Sequence, residues 1–205
     1  MKTAFTQTKK LSKYYETLKN YKTVLWDVDG TLISNSLSCH YWSWRQAFKK
    51  YGIDPNIINA KDMGIYIGGI FKKYNIHECM QEALYKEKNR IFSEQVYEPN
   101  TDAINFINNN NIDFFIISNA SKTSINNIID GFNEQSKCFN RDLFIDKNKF
   151  IDILTREDVE DKKPSIDFWY LLNEKHTLKE PICYVGDHHT DKEFAEKCCI
   201  DFFKV

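Results

Sequence analysis

Two carboxylates one residue apart, Asp27 and Asp29, follow the apolar run Val24-Leu25-Trp26 and are themselves followed by Gly30 and Thr31. An apolar segment that ends abruptly in acids is the pattern of a buried strand delivering charged groups to its carboxyl end, where open α/β sheets bind ligands. Two acids at such a place call for a cation or a proton, because unpaired buried charge is costly. In an extended chain residues 27 and 29 share a face, so both are expected at one site.

Three further segments carry polar groups of matching chemistry. Ile116-Ile117-Ser118-Asn119-Ala120-Ser121 is an apolar run ending in a hydroxyl, with a helix expected to begin after Asn119 and to turn its positive end toward an anion. Lys162-Lys163-Pro164-Ser165 places an ammonium just before a proline. Val185-Gly186-Asp187-His188-His189-Thr190-Asp191 again puts acids directly after an apolar strand. Side by side, His188 and His189 invite a transition-metal reading, but adjacent residues rarely turn both rings to one ion. They are expected instead as loop residues near the mouth of the site.

These four segments, in this order, resemble the four motifs of the haloacid dehalogenase superfamily, whose members are mostly magnesium-dependent phosphatases. The resemblance spans residues 27–191 and is closest to C1-capped, phosphoglycolate phosphatase-like members. It implies that Asp27 is a nucleophile that forms an aspartyl phosphate. Asp29 is then the acid that protonates the leaving oxygen and later deprotonates water. Ser118, Asn119 and Lys163 are implied as phosphate-binding groups, with Lys163 neutralising nucleophile and phosphate together. A Mg²⁺ ion is implied on the Asp27 carboxylate, the Asp29 main-chain carbonyl and Asp187, an oxygen-only set of the kind Mg²⁺ prefers. Asp191 is expected to orient metal-bound water or Lys163 without ligating the ion. Ser165 stands where a second proline is frequent in the family.

The presence of Asp29 argues against dehalogenases, which attack carbon without magnesium, and it disfavours phosphonate hydrolysis, which depends on a cap lysine; Lys61, Lys72 and Lys73 are the cap lysines in question. The expected activity is hydrolysis of a small phosphate monoester. The alternatives are a sugar phosphomutase of the same superfamily and a non-catalytic binding or regulatory module on the same fold.

The elements that must position these groups follow from the pattern of apolar residues. Strands are expected at 112–117, 150–154 and 182–185, with a last short run at 201–205. Helices are expected near 100–110, 121–131, 165–177 and 190–197. Such alternation predicts an α/β fold, a Rossmann-like parallel sheet with helices on both faces. Residues 34–95 carry helical faces, Tyr41, Trp44, Arg45 and Phe48 on one and Ile76, Met80, Leu84 and Ile91 on another. They read as a small helical cap of the C1 type inserted after the first strand, leaving 1–33 and 96–205 as the core domain. Within the cap, 65–73 with its paired Gly68 and Gly69 is a candidate specificity loop or a turn between helices. Trp42 and Trp44 are candidates for the cap core or for a dimer contact. Leu11, Tyr14, Tyr15 and Leu18 recur at helical spacing and predict an N-terminal helix.

Composition sets the outer bounds. With 205 residues, 42% of them hydrophobic, the chain can bury a substantial core as one domain with a smaller insertion. A net charge of -1 provides no overall field for nucleic acid or an anionic membrane, so the expected partner is a small-molecule phosphate ester. Six scattered cysteines without C-x-x-C spacing, and no apolar N-terminal stretch, fit a reducing, cytoplasmic location. No run approaches the length of a membrane span.

Overall fold

The computed structural model describes residues 14–64 and 67–205. Five parallel strands form one sheet: β1 (Thr23–Trp26), β2 (Asp113–Ser118), β3 (Phe150–Thr155), β4 (Ile182–Gly186) and β5 (Asp201–Lys204), in the order β3-β2-β1-β4-β5. The helices are α1 (Tyr15–Leu18), α2 (Ser36–Lys50), α3 (Ile67–Lys73), α4 (Glu78–Ser93), α5 (Thr101–Asn109), α6 (Lys122–Cys138), α7 (Asp167–Lys175) and α8 (His189–Lys197).

Strands β1 and β4 are buried along their whole length because both faces of the sheet are covered. Successive side chains point to opposite faces, which divides the core in two. Val24, Trp26, Phe114, Ile116 and Val185 pack under α5 and α6, against Ile104, Ile107, Ile128 and Phe132. Leu25, Phe115, Ile117, Leu154 and Tyr184 pack under α7 and α8, against Phe168, Leu172 and Phe194. The α/β parallel architecture expected from the sequence is therefore the one the chain adopts.

A third apolar cluster lies wholly between β1 and β2. Trp44 and Phe48 of α2, Ile70 and Phe71 of α3 and Leu84 of α4 meet there with Ile58 and Ile76. Trp44 belongs to this cluster, whereas Trp42 is half exposed. The two segments that lead into and out of this helical block are tied side by side. Ser34 N donates to Glu98 O at 2.9 Å, Asn35 Nδ2 to Val96 O at 2.9 Å, and Glu98 N to Asn35 Oδ1 at 2.9 Å.

Two local expectations are corrected. Helix α6 runs on to Cys138, beyond the expected end at 131; Phe132 and Ser136 are buried in this extension, and Gln135 Oε1 accepts from Tyr97 N at 3.0 Å. Gly131 within it lets the Tyr97 ring approach, since a Cβ there would lie 2.9 Å from that ring. Residues 67–73 form α3 and not a loop, so Gly68 and Gly69 are helical, and Lys73 is held by Asp62 at 2.5 Å. At the N-terminus α1 covers Tyr15–Leu18; Leu11 lies outside the described residues. Among the described residues no helix is long and apolar enough to cross a membrane.

Candidate active site

In the register of the sheet, Trp26 stands opposite Ile116 on one side and Val185 on the other. Asp27 N extends the ladder by donating to Val185 O at 3.0 Å. Three carboxyl ends therefore come level: Asp27 just beyond β1, Ser118 at the end of β2 and Asp187 just beyond β4. The chain leaves β1 toward β2 on one side and returns to β4 on the other, which opens a crevice at this edge. A cavity of about 620 Å³ occupies it. Asp27, Asp29, Ser118, Asn119, Lys163, Asp187 and Asp191 all line that cavity, together with His188 and His189.

Lys163 is the hub. Its ammonium, 2% exposed as a residue, donates to Asp27 Oδ1 at 3.1 Å, Asp191 Oδ1 at 2.7 Å and the carbonyl of Ile117 at 2.9 Å, and it also bonds the Tyr184 hydroxyl. Burial disfavours this ammonium, but Asp27 and Asp191 outweigh burial and hold it above the ordinary lysine range. The loop that carries it is clamped by Asn119, whose Oδ1 accepts from Lys163 N at 2.9 Å and whose Nδ2 donates to Lys163 O at 2.9 Å. The Asn119 side chain is thus spent on positioning Lys163. Ser118 is buried, and its Oγ accepts from Ala120 N at 3.2 Å. Helix α6 begins beyond them, capped by Ser121.

Asp191 has both oxygens committed. While Oδ1 takes Lys163, Oδ2 accepts from His188 N at 3.0 Å in a capping box at the start of α8. His188 is therefore the N-cap of α8 and His189 its first residue, both at the cavity wall.

Asp27, Asp187 and Asp191 offer carboxylate oxygens that all lie within 4.8 Å of one another. Burial pushes the Asp27 carboxyl up to about 8, Lys163 opposes this, and Asp191, Asp29 and Asp187 add to it. Burial, with Asp191 and Asp29, raises Asp187 to about 6. Asp187 rests against Gly30, where a Cβ would come within 2.4 Å of its Oδ2. Asp29 Oδ1 is buried with no hydrogen bond, and His40 Nε2 lies 3.5 Å from it. Repelling carboxylates and an oxygen-only donor set fit a small hard cation such as Mg²⁺.

Four residues around the site gave no motif in the sequence. Tyr184 reads simply as an apolar strand residue. His40 of α2 stacks on Phe92, with centroids 4.0 Å apart, and its Nδ1 meets Lys88 Nζ of α4 at 2.8 Å. Burial raises the Asp29 carboxyl, but His40, Ser36 and Lys88 prevail and hold it below the usual carboxylate range. A signal for Lys88 existed: it interrupts the buried stripe Leu84, Lys88, Phe92 of α4. Arg156, just beyond β3, also lines the cavity.

Residues 24–205 match the haloacid dehalogenase-like hydrolase family, and the chain belongs to it. No curated protein matches the chain. Among solved structures it is similar to a Thermotoga maritima protein provisionally assigned as a β-phosphoglucomutase (17% identity, 89% of this chain and 84% of that one, TM-score 0.65). It is similar to CbbY from Rhodobacter sphaeroides, solved in complex with phosphate (17%, 89% and 84%, TM-score 0.64). It also resembles the hydrolase YfnB from Bacillus subtilis, solved bound to magnesium (18%, 89% and 87%, TM-score 0.61). At these identities the likeness is one of fold.

Proposed function

We propose that the protein is a magnesium-dependent phosphomonoester hydrolase that acts on a small phosphorylated metabolite through an aspartyl phosphate on Asp27. The observation that carries this reading is the Lys163 ammonium, bonded at once to Asp27 and Asp191 on the cavity floor beside Ser118. A cation fixed against a nucleophilic carboxylate lets that anion approach a second anion, the phosphoryl group.

The Asp27 carboxylate, the Asp29 main-chain carbonyl and Asp187 would hold Mg²⁺. When bound, the ion supplies positive charge to the phosphoryl oxygens and keeps Asp27 ionised. The remaining work falls to the chain. An oxygen of Asp27 bonds to phosphorus as the ester P–O bond breaks, while Ser118 and Lys163 steady the phosphoryl oxygens. Asp29, ionised before substrate enters, takes up a proton as the phosphoryl anion raises its proton affinity, and gives it to the leaving oxygen. Water then attacks phosphorus, Asp29 accepts its proton, and the bond between phosphorus and Asp27 breaks to release inorganic phosphate. Asp191 keeps Lys163 in place throughout. Residues 34–95 act as the cap that covers the site, with α2 and α4 bringing His40, Trp44, Tyr85 and Lys88 to its roof.

Release of inorganic phosphate from a panel of phosphorylated metabolites tests this. Release with Mg²⁺ that stops on chelation and returns with added Mg²⁺ is expected; release that is indifferent to chelation, or none from any compound, overturns the reading.

A further inference from the structure

The roof and rim of the cavity carry more positive charge than one phosphoryl group uses. Lys88 Nζ is 3% exposed at residue level, yet it makes no ion pair with a carboxylate among the described residues. Its contacts are His40 Nδ1 at 2.8 Å, Asn89 Oδ1 at 3.3 Å and the face of Phe92 at 4.4 Å. Arg156 lines the same cavity from the core side, and its guanidinium likewise has no carboxylate partner among the described residues. Elsewhere in the helical block Lys50 and Arg90 pair with Glu87, Lys73 with Asp62 and Lys86 with Glu82, whereas Lys61, which also lines the cavity, has no carboxylate partner among the described residues and is not buried as Lys88 is. The acids of the floor answer this excess only in part, Asp29 acting on Lys88 across space without a direct ion pair. Asp27 and Asp191 are taken by Lys163, Asp187 joins them in the carboxylate cluster, and the Asp29 carboxylate lies against His40.

Lys88 and Arg156 oppose each other electrically. Burial first, and Arg156 in addition, lower Lys88 to about 7 against a partial pull upward from Asp29. Arg156 also depresses His40 and Lys162, behind the larger effect of burial in each case. Cations converging on one cavity, one of them buried without a direct ion pair, are relieved when an anion enters between them.

We propose that the substrate carries a second anionic group, a carboxylate or a second phosphoryl, and that Lys88 from α4 and Arg156 from the loop after β3 hold it. The proposal rests on the hydrolase reading in taking the first phosphoryl group to sit at Asp27 and Lys163. The apolar wall formed by Leu37, Trp44 and Met63 then covers the uncharged middle of the molecule. Because the second site draws one residue from the helical block and one from the core, such a substrate also bridges the two parts.

Binding of inert phosphonates to the wild-type protein tests this without turnover. Dissociation constants are measured by calorimetry for phosphonocarboxylates with two- to four-carbon spacers, for their carboxyl methyl esters, and for the corresponding bisphosphonates. At least one carboxylate or bisphosphonate is expected to bind about tenfold or more tighter than its neutral partner. Which series shows the preference identifies the group. Lys88→Met and Arg156→Gln should each collapse that ratio toward one, and Arg156→Lys should retain most of it. A residue that merely compensates Asp29 would weaken both members of a pair equally and leave the ratio unmoved. Equal affinity within every pair, or a preference unchanged in Lys88→Met and Arg156→Gln, overturns the proposal. Because affinity is read here and phosphate release in the earlier assay, failure of the hydrolase reading and failure of this one are separately visible.

Discussion

Lys163 shows how a single side chain can serve stability and chemistry together. Buried between Asp27 and Asp191, it neutralises two carboxylates that would otherwise repel each other. Lys163→Met leaves both uncompensated and is expected to destabilise the protein by about 3–5 kcal/mol in urea unfolding; an unchanged midpoint would contradict the pairing. If Asp29 carries the proton as proposed, Asp29→Asn keeps the shape but should lower kcat by about 10²–10⁴-fold with little change in unfolding midpoint. The raised carboxyls add a pH signature. Asp27 stands at about 8 and Asp187 at about 6, both above their ordinary 3.8, so the folded chain binds protons more tightly than the unfolded chain does. Without a cation these two groups favour the fold at low pH, and that contribution is lost as pH rises from about 4 through 8. Mg²⁺ competes with those protons, so the rise in Tm it produces should grow between about pH 5 and pH 8. A thermal shift that stays flat or shrinks over that range would argue against Asp27 and Asp187 as ligands.

The turns that follow the strands make the site possible. Gly30 has a φ of 78° and lies against the Asp187 carboxylate, so Gly30→Ala combines backbone strain of about 1–2 kcal/mol with a direct clash. It should weaken Mg²⁺ binding by calorimetry more than it lowers Tm; intact Mg²⁺ affinity would show that Asp187 is not held by this contact. The strands and their terminal acids were legible in the sequence because a buried parallel strand is a continuous apolar run, and an acid directly after it has no packing reason to be there. Tyr184 was not legible, since a tyrosine within such a run looks like any other core aromatic until its hydroxyl is seen on Lys163 and Ile117. Asn119 lines the cavity, but its two bonds to the Lys163 backbone link residues 44 apart in sequence, a pairing no local pattern displays. His40 and Lys88, 48 residues apart, escaped for the same reason.

At the scale of the whole molecule, one sheet with two apolar faces forms the floor and a separately packed helical block supplies the roof. The tie between Ser34–Asn35 and Val96–Glu98 holds the two connecting segments together, and Cys39 of α2 and Phe92 of α4 pack into the core beneath the block. Helical periodicity made the block visible in the sequence, but which face looked into the site depended on its packing. The central claim is that Asp27 carries the phosphoryl group between substrate and water. Acid quenching during turnover of the best substrate, followed by peptide mapping, tests it most directly. The account predicts phosphorylation on Asp27 that disappears when substrate is exhausted and is absent from Asp27→Asn, which should also release no phosphate. Phosphate release by a folded Asp27→Asn protein at the wild-type rate, or a transient phosphoryl group on any other residue, would contradict it.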